Sequence, residues 1–403
     1  MGSKILKALF VGLAIVLLVT VGLAMGRNLV LAHGAVPEWA EVWTGEARLF
    51  TADNARSEIL AIDLPDGQVT ARIGVPPKTM ILALSPDHAY VVAIRGRDVD
   101  RQHVSVIASG VEDDGFHRPY IAKTLLLGKA IGGAHGGHLG EMWGKLFLTA
   151  ESDGKVYRFE AKALEARSAF VPEVLDLGAP DHYDFMPMDD GVWVGALRTG
   201  AVRLLNREGK ELMRHPCPVF HGMTYDAQTR RAFFACAKDV LVVEDQQIKA
   251  RIPYPISERI GAFIETAAGF FGTSEGVTNL QRLDPVAMTL TPIPLKSTLM
   301  AHGTTEDGKF LFTLLQNGML EVREGQRGEL VRTIQLGPSL PEMEEDVSGA
   351  IMPSIVAHGD HLYVSLPHRG LIMDVDWQKG KVVRKLLVGG MPTRLVLVKA
   401  KTE

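Results

Sequence analysis

A strand pair that recurs about every 40 residues constrains this chain more than any other feature of it. In each copy a weaker strand runs through a polar turn into a stronger apolar strand. The copies read HLGEMWGKLFLTA from His138, HYDFMPMDDGVWVGA from His182, HGMTYDAQTRRAFFAC from His221, GAFIETAAGFFGT from Gly261 and HGTTEDGKFLFTL from His302. Successive starts at 138, 182, 221, 261 and 302 are 44, 39, 40 and 41 residues apart. Further copies begin at Ile81 (ILALSPDHAYVVA) and Pro353 (PSIVAHGDHLYVSL), with a truncated one, MPTRLVLV, from Met391. This period suits one four-stranded propeller blade, and eight starts predict an all-β, eight-bladed propeller. The last copy lacks outer strands and the first β segment, around Arg48, lacks an inner one. Pairing of the N- and C-terminal strands is therefore expected to complete one blade and close the ring, which removes exposed sheet edges. The 41 glycines and 21 prolines are spread along the chain, as many short strands and turns require. Residues 33–403 read as a single propeller domain, with modest insertions at 110–135 and 337–350.

Residues 1–32 carry an address rather than fold. Lys4 and Lys7 precede an uninterrupted apolar run from Ala8 to Met25, and small residues offer cleavage after Gly26 or after Ala32. The run suits a signal peptide and is also just long enough for an uncleaved membrane anchor. Either reading places the rest of the chain outside the cytoplasm. The balance of 43 basic against 47 acidic residues, without a long basic run, leaves no electrostatic footprint for nucleic acid. Cys217 and Cys236 are the two cysteines. An even number in an exported chain favours one disulfide over two buried thiols.

Four of the 13 histidines, His138, His182, His221 and His302, stand at the start of a repeat copy, where a propeller places its innermost strand along the central channel. Equal phase implies equal height, so imidazoles from different blades are expected to converge on one axis. A nitrogen-rich site of this kind suits Zn²⁺, which takes three or four such ligands in tetrahedral geometry. His138, His182 and His221 belong to successive blades; His302, two blades further on, rests on phase alone. Asp181 and Asp184 flank His182, and Asp184 could serve as a fourth ligand or accept a ring N–H. Asp113, Asp114 and His117 form a carboxylate-imidazole loop suited to transient cation capture. His135 is an alternative to His138, whereas His358, His361 and His368 cluster in the last full copy with solvent exposure as the default reading.

The stretch from His215 to Pro255, HPCPVFHGMTYDAQTRRAFFACAKDVLVVEDQQIKARIPYP, resembles the periplasmic zinc metallochaperones of the AztD type. That family has a CP-x-x-HG motif, a second cysteine in an FAC-A strand, a VLVV strand and a Pro-Tyr-Pro close. A weaker likeness extends over nearly the whole mature chain. The resemblance implies a non-enzymatic exported propeller that holds zinc and passes it to the solute-binding protein of an ABC zinc importer. By motif, His221 matches the HG histidine, Cys217 and Cys236 match a bridged pair, and His138 and His182 fall where the family places histidines on the two preceding blades. The family's histidine-rich loop is represented here only by Asp113, Asp114 and His117, and its motif does not extend to His302. The alternative reading is a metal-dependent propeller hydrolase of the lactonase kind. Such an enzyme would need carboxylate ligands and a general base in phase with the histidines, and no paired carboxylates stand in phase with them.

Overall fold

The computed structural model describes residues 46–95, 103–112, 115–116, 120–126, 138–160, 163, 171–274, 276–341 and 351–399. Eight four-stranded antiparallel sheets follow one another as the blades of a propeller. Blade 1 is composite: Ala47–Asp53, Glu58–Leu64 and Gln68–Gly74 are joined on the inner side by Pro392–Lys399. The inner strands of blades 2 to 8 are Thr79–Leu84, Leu139–Met142, Tyr183–Pro187, Met223–Asp226, Ala262–Thr266, Leu299–Thr304 and Ile355–His358. Among the described residues no helix is long and apolar enough to cross a membrane. The signal or anchor expected at 1–32 lies outside the described residues.

The strength of each strand follows from its place in the blade. In blade 4 the second strand, Gly191–Ala196, is buried at every position, whereas the outermost, Glu211–Pro216, is mostly exposed. A middle strand is covered on both faces by neighbouring blades and so reads as a continuous apolar run; an outer strand meets water. Eight hydrophobic clusters result, one across each pair of adjacent blades. Phe233, Phe234, Phe271 and Phe312 are fully buried in them, each contributing roughly 1.5–3 kcal/mol relative to an exposed ring. The eighth interface, with Leu49 and Ile62 of blade 1 against Tyr363 and Ile372 of blade 8, closes the circle. Closure is fastened by the ladder from Ala47↔Lys399 to Asp53↔Pro392 and by hydrogen bonds from Thr51 Oγ1 to Thr393 O (2.7 Å) and from Thr393 Oγ1 to Ala52 O (3.1 Å).

Part of the expected 110–135 insertion is regular structure. Tyr120–Leu126 is the outer strand of blade 2, paired with His103–Ala108, after a small hairpin of Val111–Glu112 with Gly115–Phe116. This hairpin, set between the third and fourth strands, disguises the blade by breaking the regular spacing of its strands.

Candidate metal centre

Three histidines stand on one rung of the ring because each occupies the residue or two ahead of its inner strand, tied back to the end of the second strand. His138 N donates to Thr149 Oγ1 (2.8 Å) and its carbonyl accepts from Thr149 N (3.0 Å). The carbonyl of His182 accepts from Leu197 N (3.0 Å), and His221 N donates to Ala235 O (3.0 Å). Blade 5 holds its histidine on a built loop. Cys217 and Cys236 form a disulfide across the loop base, and Phe220 is buried against Gly195, where a Cβ would come within 2.0 Å of the ring. Gly222 then turns the chain at φ +91°, with the Gly261 carbonyl 2.8 Å from where a Cβ would stand. Only glycine gives both the backbone angle and that close approach, which is the physical content of the His-Gly pair.

The three rings meet. His138 and His182 have centroids 4.9 Å apart at 49°, and His182 and His221 are stacked at 5.1 Å and 23°. His138 Nε2 lies 3.3 Å from His182 Nε2. On its far side His182 Nδ1 lies 2.6 Å from Glu151 Oε1, so the ring donates Nδ1–H to a carboxylate and presents an Nε2 lone pair. His221 Nδ1 likewise donates to the Gly261 carbonyl. His138 differs: its Nδ1 is 3.9 Å from Asp184 Oδ1, beyond hydrogen-bonding range. Donor atoms of His138, Glu151 and His182 all lie within 4.8 Å of one another.

The electrostatics favour neutral imidazole. Burial in the channel wall pushes His138 below the ordinary histidine value, as do the neighbouring His182 and His221, against the pull of Asp184 and Glu151. Asp181 is committed elsewhere: its carboxylate accepts from the amides of His182, Arg198 and Thr199 and from Thr199 Oγ1. Burial works against its charge, but those hydrogen bonds hold it below the usual carboxylate range. It braces the backbone under His182 and has no lone pair directed at the rings.

Glu151 carries no sequence signal. It opens the short 3₁₀ turn Glu151–Asp153 after the second strand of blade 3, where Glu-Ser-Asp-Gly reads as a plain turn, and it lies 31 residues from His182. His302 departs from the expected phase. It is the fourth residue of Leu299–Thr304, paired with Thr313, because fewer residues separate it from its hairpin than separate His221 from its own. Its ring is exposed, and among the described residues it makes no hydrogen bond, ion pair or ring contact. The protein walls around it lower its pKa by desolvation. His361 bonds Asp374 (2.6 Å), and His368 is exposed in the Pro367–Arg369 turn. Asp113, Asp114, His117 and His135 lie outside the described residues.

No protein-family model matches the chain. A curated relative, the zinc chaperone AztD of Citrobacter koseri, is 23% identical over 391 residues, covering 92% of this chain and 91% of its own. It is named as a chaperone rather than as an enzyme. Two solved structures of Citrobacter koseri AztD, one of them apo, superpose with TM-scores of 0.72 at 21% identity, each covering 89% of this chain and 100% and 99% of theirs. The dihydro-heme d1 dehydrogenase NirN in complex with DHE is more distant, with a TM-score of 0.62 at 12% identity over 90% of this chain and 77% of its own. The chain is thus similar in sequence to the Citrobacter koseri AztD along nearly its full length, and an eight-bladed propeller in fold.

Proposed function

We propose that this protein is a zinc carrier of the periplasm that holds Zn²⁺ through His138, His182 and His221 and passes it to the solute-binding protein of an ABC zinc importer. One observation supports the reading above the rest. Tetrahedral Zn²⁺ with Zn–N bonds of about 2.0–2.1 Å sets its ligand nitrogens about 3.3–3.4 Å apart. The two facing Nε2 atoms of His138 and His182 are 3.3 Å apart, on rings supplied by different blades. Glu151 on the far nitrogen of His182 is the usual outer partner of a ligating histidine, fixing the tautomer and raising the basicity of Nε2. Asp184 stands on the Nδ1 side of His138 in the same relation at longer range.

Zinc is cargo in this reading. Among the described residues Glu151 is engaged with His182 and Asp181 with backbone amides, which fits carboxylates that position a ligand better than ones that act as a base. The disulfide suits an exported destination. Metal analysis of the purified chain is expected to give one Zn²⁺ per protein, and transfer to the solute-binding protein is expected to persist with a chelator present to capture free metal. Zinc retained at full stoichiometry in a His138→Ala, His182→Ala, His221→Ala triple variant would refute the site. Transfer abolished by the chelator would refute direct delivery.

A further inference from the structure

The three imidazoles are not held alike. His182 is the most firmly placed: its side chain is 9% exposed, its Nδ1–H is bonded to Glu151, and the amide beneath it is bonded to Asp181. His221 is fixed through Nδ1 by a neutral carbonyl on a loop stapled by the disulfide. His138 is anchored only at its main chain, through Thr149; its side chain is 31% exposed, and Asp184 stands too far from Nδ1 to hold the proton there. The tautomers of His182 and His221 are therefore set by hydrogen bonds at Nδ1, away from the other rings, whereas the Nδ1 of His138 has no partner within hydrogen-bonding range among the described residues. Neutral His138 has two good arrangements. With the proton on Nε2 it donates across the 3.3 Å gap to the lone pair of His182 Nε2. With the proton on Nδ1 it faces Asp184 and offers Nε2 to a cation.

We propose, on the zinc-site reading above, that His138 is the yielding ligand: its ring closes the site by hydrogen bonding to His182, opens it by changing tautomer, and is the first to leave the metal at handover. Glu151 is then a positioning residue that keeps His182 bound until the last step. The exchange balances without any redox partner. An incoming donor lone pair takes the coordination position as His138 Nε2 gives it up, and the proton on His138 returns from the Asp184 side to Nε2 through solvent.

The test is imidazole ¹⁵N NMR on histidine-labelled full chain, titrated with ZnCl₂, with His138→Ala used for assignment. His182 and His221 are expected to carry their proton on Nδ1 before and after zinc, and His138 to move its proton from Nε2 to Nδ1. A His138 already on Nδ1 before zinc, or a change of tautomer at His182, would overturn the proposal. Release into excess EDTA is the second readout. His138→Ala is expected to keep one zinc per chain but release it faster than the parent, whereas His182→Ala is expected to lose stoichiometric binding. Glu151→Gln, which keeps an acceptor for Nδ1–H, is expected to weaken affinity by about 10–100-fold, with Glu151→Ala weaker still. Equal losses at His138 and His182 would overturn the asymmetry alone. Zinc binding untouched by all the variants would overturn the site itself.

Discussion

Two groups of histidines sit at opposite ends of the inner strands, and their neighbours make them different things. At one end His138, His182 and His221 turn their rings toward one another across three blades. At the other, His358 and His361 face each other across the hairpin of blade 8, and their partners are charges that are already balanced. His361 Nδ1 bonds Asp374, whose other oxygen is held by Arg384 Nε at 2.8 Å, and His358 lies 4.0 Å from Glu306, which pairs with Lys399. A carboxylate shared with a guanidinium or ammonium has little negative charge left to gather a cation. Histidine count therefore says little, and the destination of each ring nitrogen says a good deal.

Swapping one residue at each end should break the comparison most sharply. His182→Ala is expected to lower zinc affinity by orders of magnitude and His361→Ala to leave stoichiometry and affinity unchanged, both read by chelator competition. Equal effects would mean that the hairpin end binds metal too. The next largest effect concerns the loop under His221. Replacing Cys217 and Cys236 with Ser opens a closure 19 residues apart in sequence and should cost roughly 3 kcal/mol of stability in the chain-entropy account. Zinc affinity should fall with it, because His221 sits on that loop; chemical denaturation with and without zinc separates the two losses.

Gly222→Ala sharpens the same point at smaller cost. The positive φ and the 2.8 Å approach to the Gly261 carbonyl predict strain of roughly 1–3 kcal/mol, accompanied by weaker zinc binding, while Gly359→Ala at the hairpin end, where a Cβ meets nothing, should pay only for its φ of +55°. A zinc titration of both variants checks it. The smallest effect is one of pH and touches both ends. Burial is the main cause that sets His138, His302 and His358 below the ordinary value of 6.5. The unfolded chain then takes up protons first, so their contribution is whole above pH 6.5 and is lost as pH falls toward the folded values. Denaturation midpoints of the metal-free protein should drop over that range. Zinc binding should weaken there as well, since protons compete for the same lone pairs.

Much of the ring could be read from the chain because the period and the apolar second strands are set by burial between blades, which acts on every copy alike. GVWVGA and AFFAC announce themselves for that reason. His138, His182 and His221 were legible as one phase, since each precedes its inner strand by one or two residues. What stayed hidden depends on contacts between blades rather than on the repeat. Glu151 reaches His182 from the preceding blade, the Gly261 carbonyl reaches His221 from the following one, and neither is marked by its local residues. His302 misled because it was aligned by the His-Gly pair, while fewer residues separate it from its hairpin, which places it inside the strand. The outer strand Tyr120–Leu126 was passed over because it follows a small hairpin inserted after His103–Ala108 and so falls out of the spacing of the other blades.

The composite first blade has a consequence in time. The hydrogen bond from Thr51 to Thr393 spans 342 residues, so at roughly 5–20 residues per second its two ends leave the ribosome roughly 20–70 s apart. Throughout that interval the Ala47–Asp53 edge has no partner, and the ring's most distant contacts carry the slow kinetics of high contact order. The strand Pro392–Lys399 is thus the one that decides when the molecule becomes a ring, and a chain that closes late stays threadable until that strand has been made.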